Sequence, residues 1–170
     1  MPSLDLDKMQ VVTQWGVAWT HSRCEKLLNQ FLNGANIPAY LPLMTNRRTY
    51  GSRVRVSQIP LFPGYIFFRH SDESARLVLQ SGMAVQVLRP PCSYQLGQEL
   101  LNVAKILRAD CSLRTTRFKN GVPVEVKAGP LKGVTGKLVR LIGGCRLLIA
   151  VSFLGKAVEL EIDESAVSPL

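Results

Sequence analysis

The sequence predicts an α+β protein in two parts: a split βαβ sandwich over residues 1–108 and a small β-barrel over residues 119–170, joined by a linker at 109–118. Three observations predict it. Periodic segments in the first part run strand, helix, strand, strand, helix, strand, the order of a ferredoxin-like sandwich. The segment after a further helix has no period. The last part is a string of short β-rich runs separated by glycine-containing turns, the texture of a small barrel.

The elements follow in order. Trp15, Val17 and Trp19 alternate with the small Gly16 and Ala18, which predicts a strand. A helix comes next: Ser22 and Glu25 have capping-box spacing, Leu27, Leu28, Phe31 and Leu32 form an apolar stripe, and Asn33-Gly34 supplies the stop. Ile37 to Leu43 is a second strand, and Pro38 and Pro42 place it at an edge or make it irregular. Thr45 to Gln58, polar and basic with Gly51 near its middle, is expected to be an exposed hairpin or loop. Gly64 to Arg69 gives the third strand. Asp72 to Gln80 gives a helix capped by Ser71 with Gly82 beyond its end, and Val85 to Leu88 the fourth strand. "PPCSYQLG" leads into a third helix with Leu100, Val103, Ala104 and Leu107 on one face. The barrel strands are "VPVEV", "VTGKLVRL", "RLLIAVSF" and "AVELEI", parted by Gly129-Pro130, Gly143-Gly144 and Leu154-Gly155.

Composition narrows the function classes. With 46% hydrophobic and 19% charged residues the chain is of the folded type. No apolar run reaches the roughly eighteen residues of a membrane helix, and Met1 to Gln10 has no signal-peptide core, so a cytoplasmic protein is expected. Cys24, Cys92, Cys111 and Cys145 include no C-x-x-C pair and are expected to be reduced packing residues. His21 and His70 lack partners at ligand spacing, so neither metal nor cofactor is expected. Catalysis is not expected either: no glycine loop precedes a helix and no nucleophile has a positioned base. Asp72-Glu73 stand at a helix start, where acidic residues serve the helix dipole.

The net charge of +9 is unevenly spread. Fourteen basic residues face seven acidic ones up to residue 118, against seven and five beyond it. No acidic residue occurs between Glu25 and Asp72, an interval holding Lys26, Arg47, Arg48, Arg53, Arg55 and Arg69. Such a stretch favours polyanions, nucleic acid foremost.

Within that interval "IPLFPGYIFF", Ile59 to Phe68, is apolar on both strand faces. If the sandwich helices cover one sheet face, Ile66 and Phe68 point one way and Tyr65 and Phe67 the other. One set, with Trp15, Val17 and Trp19, is then expected to form an open apolar patch of the kind that marks a partner site.

Two motifs together resemble one family. "PLFPGYIFF" is similar to the third-strand region of the N-terminal (NGN) domain of NusG-type transcription elongation factors. "VEVKAGPLKGVTGKLVRL" resembles the KOW motif that opens their SH3-like C-terminal barrel, and "VSFLGKAVELEIDESAV" continues the likeness. The resemblance runs from Trp15 to Val167 in the family's order. It implies a monomeric factor, without cofactor or membrane, that binds the clamp helices of the largest subunit of bacterial RNA polymerase. The matching pocket positions are Trp15, Trp19, Phe62, Tyr65 and Phe67. It implies that Arg47, Arg48, Arg53 and Arg55 lie near upstream or non-template DNA. It also implies that Phe153 and Leu154 of the barrel meet a ribosomal protein or the termination factor Rho. Val124, Val126, Gly129, Leu131, Gly133, Gly136 and Val139 fit the KOW pattern, with the valines expected in the core and the glycines at turns.

"IPAYLPLMTNRRTYGSRVRVSQIPLFPGYIFF" looks like the specialised paralogues that act on selected operons, although their RfaH-type gate-loop motif has no counterpart at Glu73 to Ala75. A housekeeping member of the family and a ribosome-associated RNA-binding protein stand as alternatives. The glycines of the last fifty residues disfavour any helical alternative for the barrel, at roughly 1 kcal/mol each in a helix interior.

Overall fold

The computed structural model describes residues 14–109, 113–117, 121–141 and 144–170. The readings made above for Met1 to Gln10, Cys111 and Gly143 lie outside them. The chain divides into two compact units, Met1–Tyr94 and Gln95–Leu170.

The first unit holds a four-stranded antiparallel sheet built from β1 (Trp15–Thr20), β2 (Ala39–Tyr40), β5 (Tyr65–Arg69) and β6 (Ala84–Leu88), in the order β2-β5-β1-β6. Helix α1 (Glu25–Gly34) connects β1 to β2, and α2 (Asp72–Gln80) connects β5 to β6. A separate two-stranded ribbon, β3 (Leu43–Tyr50) and β4 (Arg53–Pro60), extends from between β2 and β5. The prolines flanking β2 leave it only two residues long and at the sheet edge, as expected of residues that cannot donate to a ladder.

One sheet face carries Ala18, Ile66 and Phe68, which pack with Leu28 and Leu32 of α1 and Val78 of α2 in a closed core. Fully burying one such leucine contributes roughly 1.5–3 kcal/mol. Leu27 and Phe31, expected in the same stripe, are exposed, because only one residue per turn of α1 faces the sheet. Ser71 caps α2 as expected, in a reciprocal box with Ser74.

The start of α1 differs from expectation. The helix begins at Glu25 with Cys24 at the cap and no side-chain cap bond, and Ser22 lies outside it. Glu25 is buried and its carboxylate bonds to a distant backbone N–H instead, so it is not free to close a capping box. At the other end Gly34 is the last helical residue, and Asn36, with φ 55°, takes the left-handed position.

Helix α3 (Ser93–Arg108) starts where the Trp15 N–H donates to Ser93 Oγ. The boundary between the units falls in its first turn. The second unit is a six-stranded antiparallel sheet of β7 (Leu113–Arg117), β8 (Val122–Val126), β9 (Thr135–Leu141), β10 (Gly144–Val151), β11 (Lys156–Ile162) and β12 (Val167–Pro169), in the order β12-β8-β9-β10-β11-β7. Val124, Val126, Leu138, Leu147, Ile149 and Val158 are buried in its core.

β7 corrects the linker expected at 109–118: Leu113 to Arg117 pair with Leu160 to Lys156 of β11. Its polar, threonine-containing sequence shows no core signal because an edge strand takes its stability from main-chain bonds on one side, and charged residues suit an open edge. Gly136 corrects a second reading. It lies inside β9, not at a turn, and a Cβ there would stand 2.6 Å from the Leu148 carbonyl oxygen. Cys92 is exposed rather than packed.

Candidate functional site

The antiparallel register of β1 and β5 sets Trp19 opposite Tyr65, Val17 opposite Phe67 and Trp15 opposite Arg69, all on the sheet face away from the α1 and α2 core. Tyr40 joins them opposite Phe67. The sharing of faces is as expected, but among the described residues most members of the set are buried. Trp15 is 3% exposed, Phe62 1% and Phe67 0%, and the Phe62 and Phe67 rings meet edge to face at 6.3 Å. These three are core side chains. Trp19, 45% exposed, and the half-buried Tyr65 are the accessible members of the set.

A tight backbone node shapes that pair. Gly64 has φ 85°, a conformation that favours glycine, and follows Pro63 in the turn into β5. Its N–H donates to Glu25 Oε1 at 2.8 Å and its carbonyl accepts from Thr20 N at 2.9 Å. The indole of Trp19 lies 3.8 Å from where a Gly64 Cβ would stand. Helix α1 therefore holds the turn, and the turn supports the exposed tryptophan. The role of Glu25 escaped the sequence reading, in which its spacing from Ser22 pointed to a local cap.

The ribbon β3–β4 realises the expected basic hairpin. Gly51, with φ 59°, is the first of two residues between Tyr50 and Arg53, where a type II′ turn requires positive φ. The register separates the four arginines: Arg48 faces Arg55 and Tyr50 faces Arg53 on one side, whereas Arg47 faces Val56 on the other, beside the Thr49–Val54 pair. The base is braced by Lys26 Nζ donating to the Gln58 carbonyl at 2.6 Å and by Leu61 N donating to the Pro42 carbonyl at 2.8 Å. The ion pairs of the described residues, Arg89–Asp72, Lys127–Glu125, Arg140–Glu164 and Arg146 with Glu159 and Glu161, involve none of the four hairpin arginines.

In the second unit Phe153 and Leu154 are half-buried in a 3-10 turn, Ser152–Leu154, closed by Gly155 at φ 62°. Glu99 Oε2 accepts the Ser152 N–H at 3.0 Å, and Asn102 Nδ2 donates to Thr135 Oγ1 at 3.2 Å. A groove of about 590 Å³, lined by Val122, Leu138, Arg140, Glu164, Val167 and Pro169, lies at the β8–β9–β12 side. At its edge the hydrogen bond from Arg140 holds the Glu164 carboxyl below its usual range. Burial pushes the Cys145 thiol up, which disfavours the reactive thiolate.

Among the described residues no group of three or more His, Cys, Asp and Glu side chains is placed to hold a metal, and no helix is long and apolar enough to cross a membrane.

Comparison with known proteins agrees with the motifs. No curated protein matches the chain. The solved structure of Thermotoga maritima NusG, described for its domain interaction, aligns with a TM-score of 0.51 at 16% identity, covering 92% of this chain and 97% of that one. An MjSpt4:Spt5 complex aligns with a TM-score of 0.30 at 13% identity, over 92% of this chain and 96% of that one. The family described as transcription termination factor NusG matches residues 13–99, just over half of the sequence, and the chain belongs to the NusG family of transcription factors.

Proposed function

We propose that this NusG-family factor binds bacterial RNA polymerase at the clamp helices of the largest subunit, with Trp19 and Tyr65 as the contact pair. The observation that carries this is the exposed Trp19 beside Tyr65, held in place by a buried carboxylate and a positive-φ glycine. An exposed tryptophan on a rigid support is the type of side chain that dominates binding energies. Trp15, Phe62 and Phe67 serve as the packed floor beneath it.

The factor acts by binding, without chemistry. The first unit bridges the clamp over the nucleic acid, the β3–β4 ribbon lies along upstream or non-template DNA, and polymerase is biased away from paused states. The second unit recruits another factor, a ribosomal protein or Rho, through the Phe153–Leu154 turn at high effective concentration. The "PLFPGY" context favours a specialised antiterminator of selected operons over the housekeeping role.

Genome-wide occupancy of the tagged chain in its own host, compared with polymerase in the same cells, tests this. Signal confined to a few operons supports the specialist, and signal over most genes makes the chain a general elongation factor. Occupancy unrelated to polymerase overturns the polymerase assignment in favour of a ribosomal one.

A further inference from the structure

The two faces of the β3–β4 ribbon are chemically unlike, and the difference specifies a ligand. Arg48, Tyr50, Arg53 and Arg55 share one face, in two consecutive cross-strand pairs. Successive pairs on one face of a ribbon are about 7 Å apart, so the three arginines are the tyrosine's neighbours on that face. Tyr50 is 59% exposed. The opposite face carries Arg47 with Thr49 and the exposed Val54 and Val56.

Arginines directly opposite each other, as Arg48 and Arg55 are, repel, and no acidic residue from Lys26 to Ser71 is available to offset them. A polyanion laid along this face removes that repulsion. A duplex would use the arginines alone, since its bases hide their π-faces in the stack. An unpaired strand uses the tyrosine as well, because any base can stack on an aromatic ring flanked by phosphate-binding cations.

Resting on the nucleic-acid role of this hairpin, we propose that the Arg48–Tyr50–Arg53–Arg55 face is a site for single-stranded nucleic acid. One base stacks on Tyr50, and the three arginines hold the adjoining phosphates. The stacking tolerates any base, so the site selects unpaired strand over duplex rather than one sequence over another.

The test is fluorescence anisotropy of a labelled twelve-nucleotide mixed-sequence DNA strand and of its duplex, titrated with the full chain at several salt concentrations. Tyr50→Ala is expected to weaken single-strand binding roughly 5- to 150-fold, the equivalent of losing one stacked base, with duplex binding unchanged. Tyr50→Phe keeps the ring and is expected to bind as the wild type. Arg48→Ala with Arg55→Ala lowers the salt slope by about 0.7 per lost phosphate contact, and Arg47→Ala changes it less. If the arginine variants bind weakly but Tyr50→Ala binds the strand like wild type, or the duplex binds as tightly as the strand, the stacking site is refuted while the hairpin's nucleic-acid role stands. If neither nucleic acid responds to the arginine variants, the role itself is refuted.

Discussion

Glu25 Oε1 accepts the Gly64 N–H at 2.8 Å, from a position 39 residues away in sequence. The bond ties the first turn of α1 to the turn that launches β5, on which Trp19 rests. A carboxylate this buried would be a liability without a donor, and the Gly64 N–H would be an orphan without the carboxylate.

Glu25→Ala is therefore expected to cost about 1–3 kcal/mol of stability by leaving a buried donor without its acceptor. Glu25→Gln keeps an acceptor oxygen and is expected to cost less. Urea denaturation gives the stability. Tryptophan emission gives the second readout, shifting as Trp19 loses its support; equal stability and emission for all three proteins would show that the bond does not organise the turn.

Gly64→Ala isolates backbone conformation from packing, because the nearest atoms to an added Cβ are 3.8 Å away, an ordinary contact. The expected loss is roughly 1–2 kcal/mol, the cost of holding a non-glycine residue in the left-handed region. Thermal unfolding would detect it as a lowered Tm.

Gly136→Ala is expected to damage the second unit, since the new methyl would press on the Leu148 carbonyl at 2.6 Å and on Leu147 Cδ1 at 3.0 Å. Overpacking of this kind typically costs about 1–3 kcal/mol. Amide hydrogen exchange should show faster exchange in β9 and β10, with β1 and β5 unaffected.

Acid is expected to weaken both units in different windows. The backbone N–H of Ser165 lowers the Asp163 pKa, and the Arg140 hydrogen bond lowers that of Glu164. A depressed carboxyl contributes stability that is complete above its unfolded value, about 4, and lost as pH falls through the lower folded value. Burial, then the charge of Arg89, lowers the His70 pKa against the opposing pull of Asp72, and His70 Nε2 accepts from Arg89 Nε at 3.1 Å. Its contribution is complete above about 6.5 and declines as pH falls through its folded value. Urea midpoints measured against pH should thus decline more gently below pH 4 in Glu164→Gln than in the wild type. A parallel decline in both would remove the Arg140–Glu164 pair from the cause.

The parts legible in the sequence were those fixed by local rules. Ser71 and Gly82 bracket α2, the Trp15-Val17-Trp19 alternation marks β1, and Pro38 and Pro42 limit β2, because capping, period and a missing N–H each act within a few residues. What escaped depends on distant partners. Glu25 matches a local cap until Gly64 claims it; Leu113 to Arg117 has no period because β11 supplies its bonds; and Gly136 reads as a turn residue until Leu148 crosses it. The aromatics of "IPLFPGYIFF" were readable as a set sharing a face, but alternation alone could not show that Phe62 and Phe67 are buried and meet edge to face while Trp19 is 45% exposed.

The decisive measurement is the affinity of the purified full chain for the RNA polymerase of its own host, for the wild type and for the Trp19→Ala, Tyr65→Ala double variant, with folding checked by circular dichroism. Loss of binding by a folded double variant is the predicted result, and binding at wild-type affinity would contradict the assignment of that surface to polymerase.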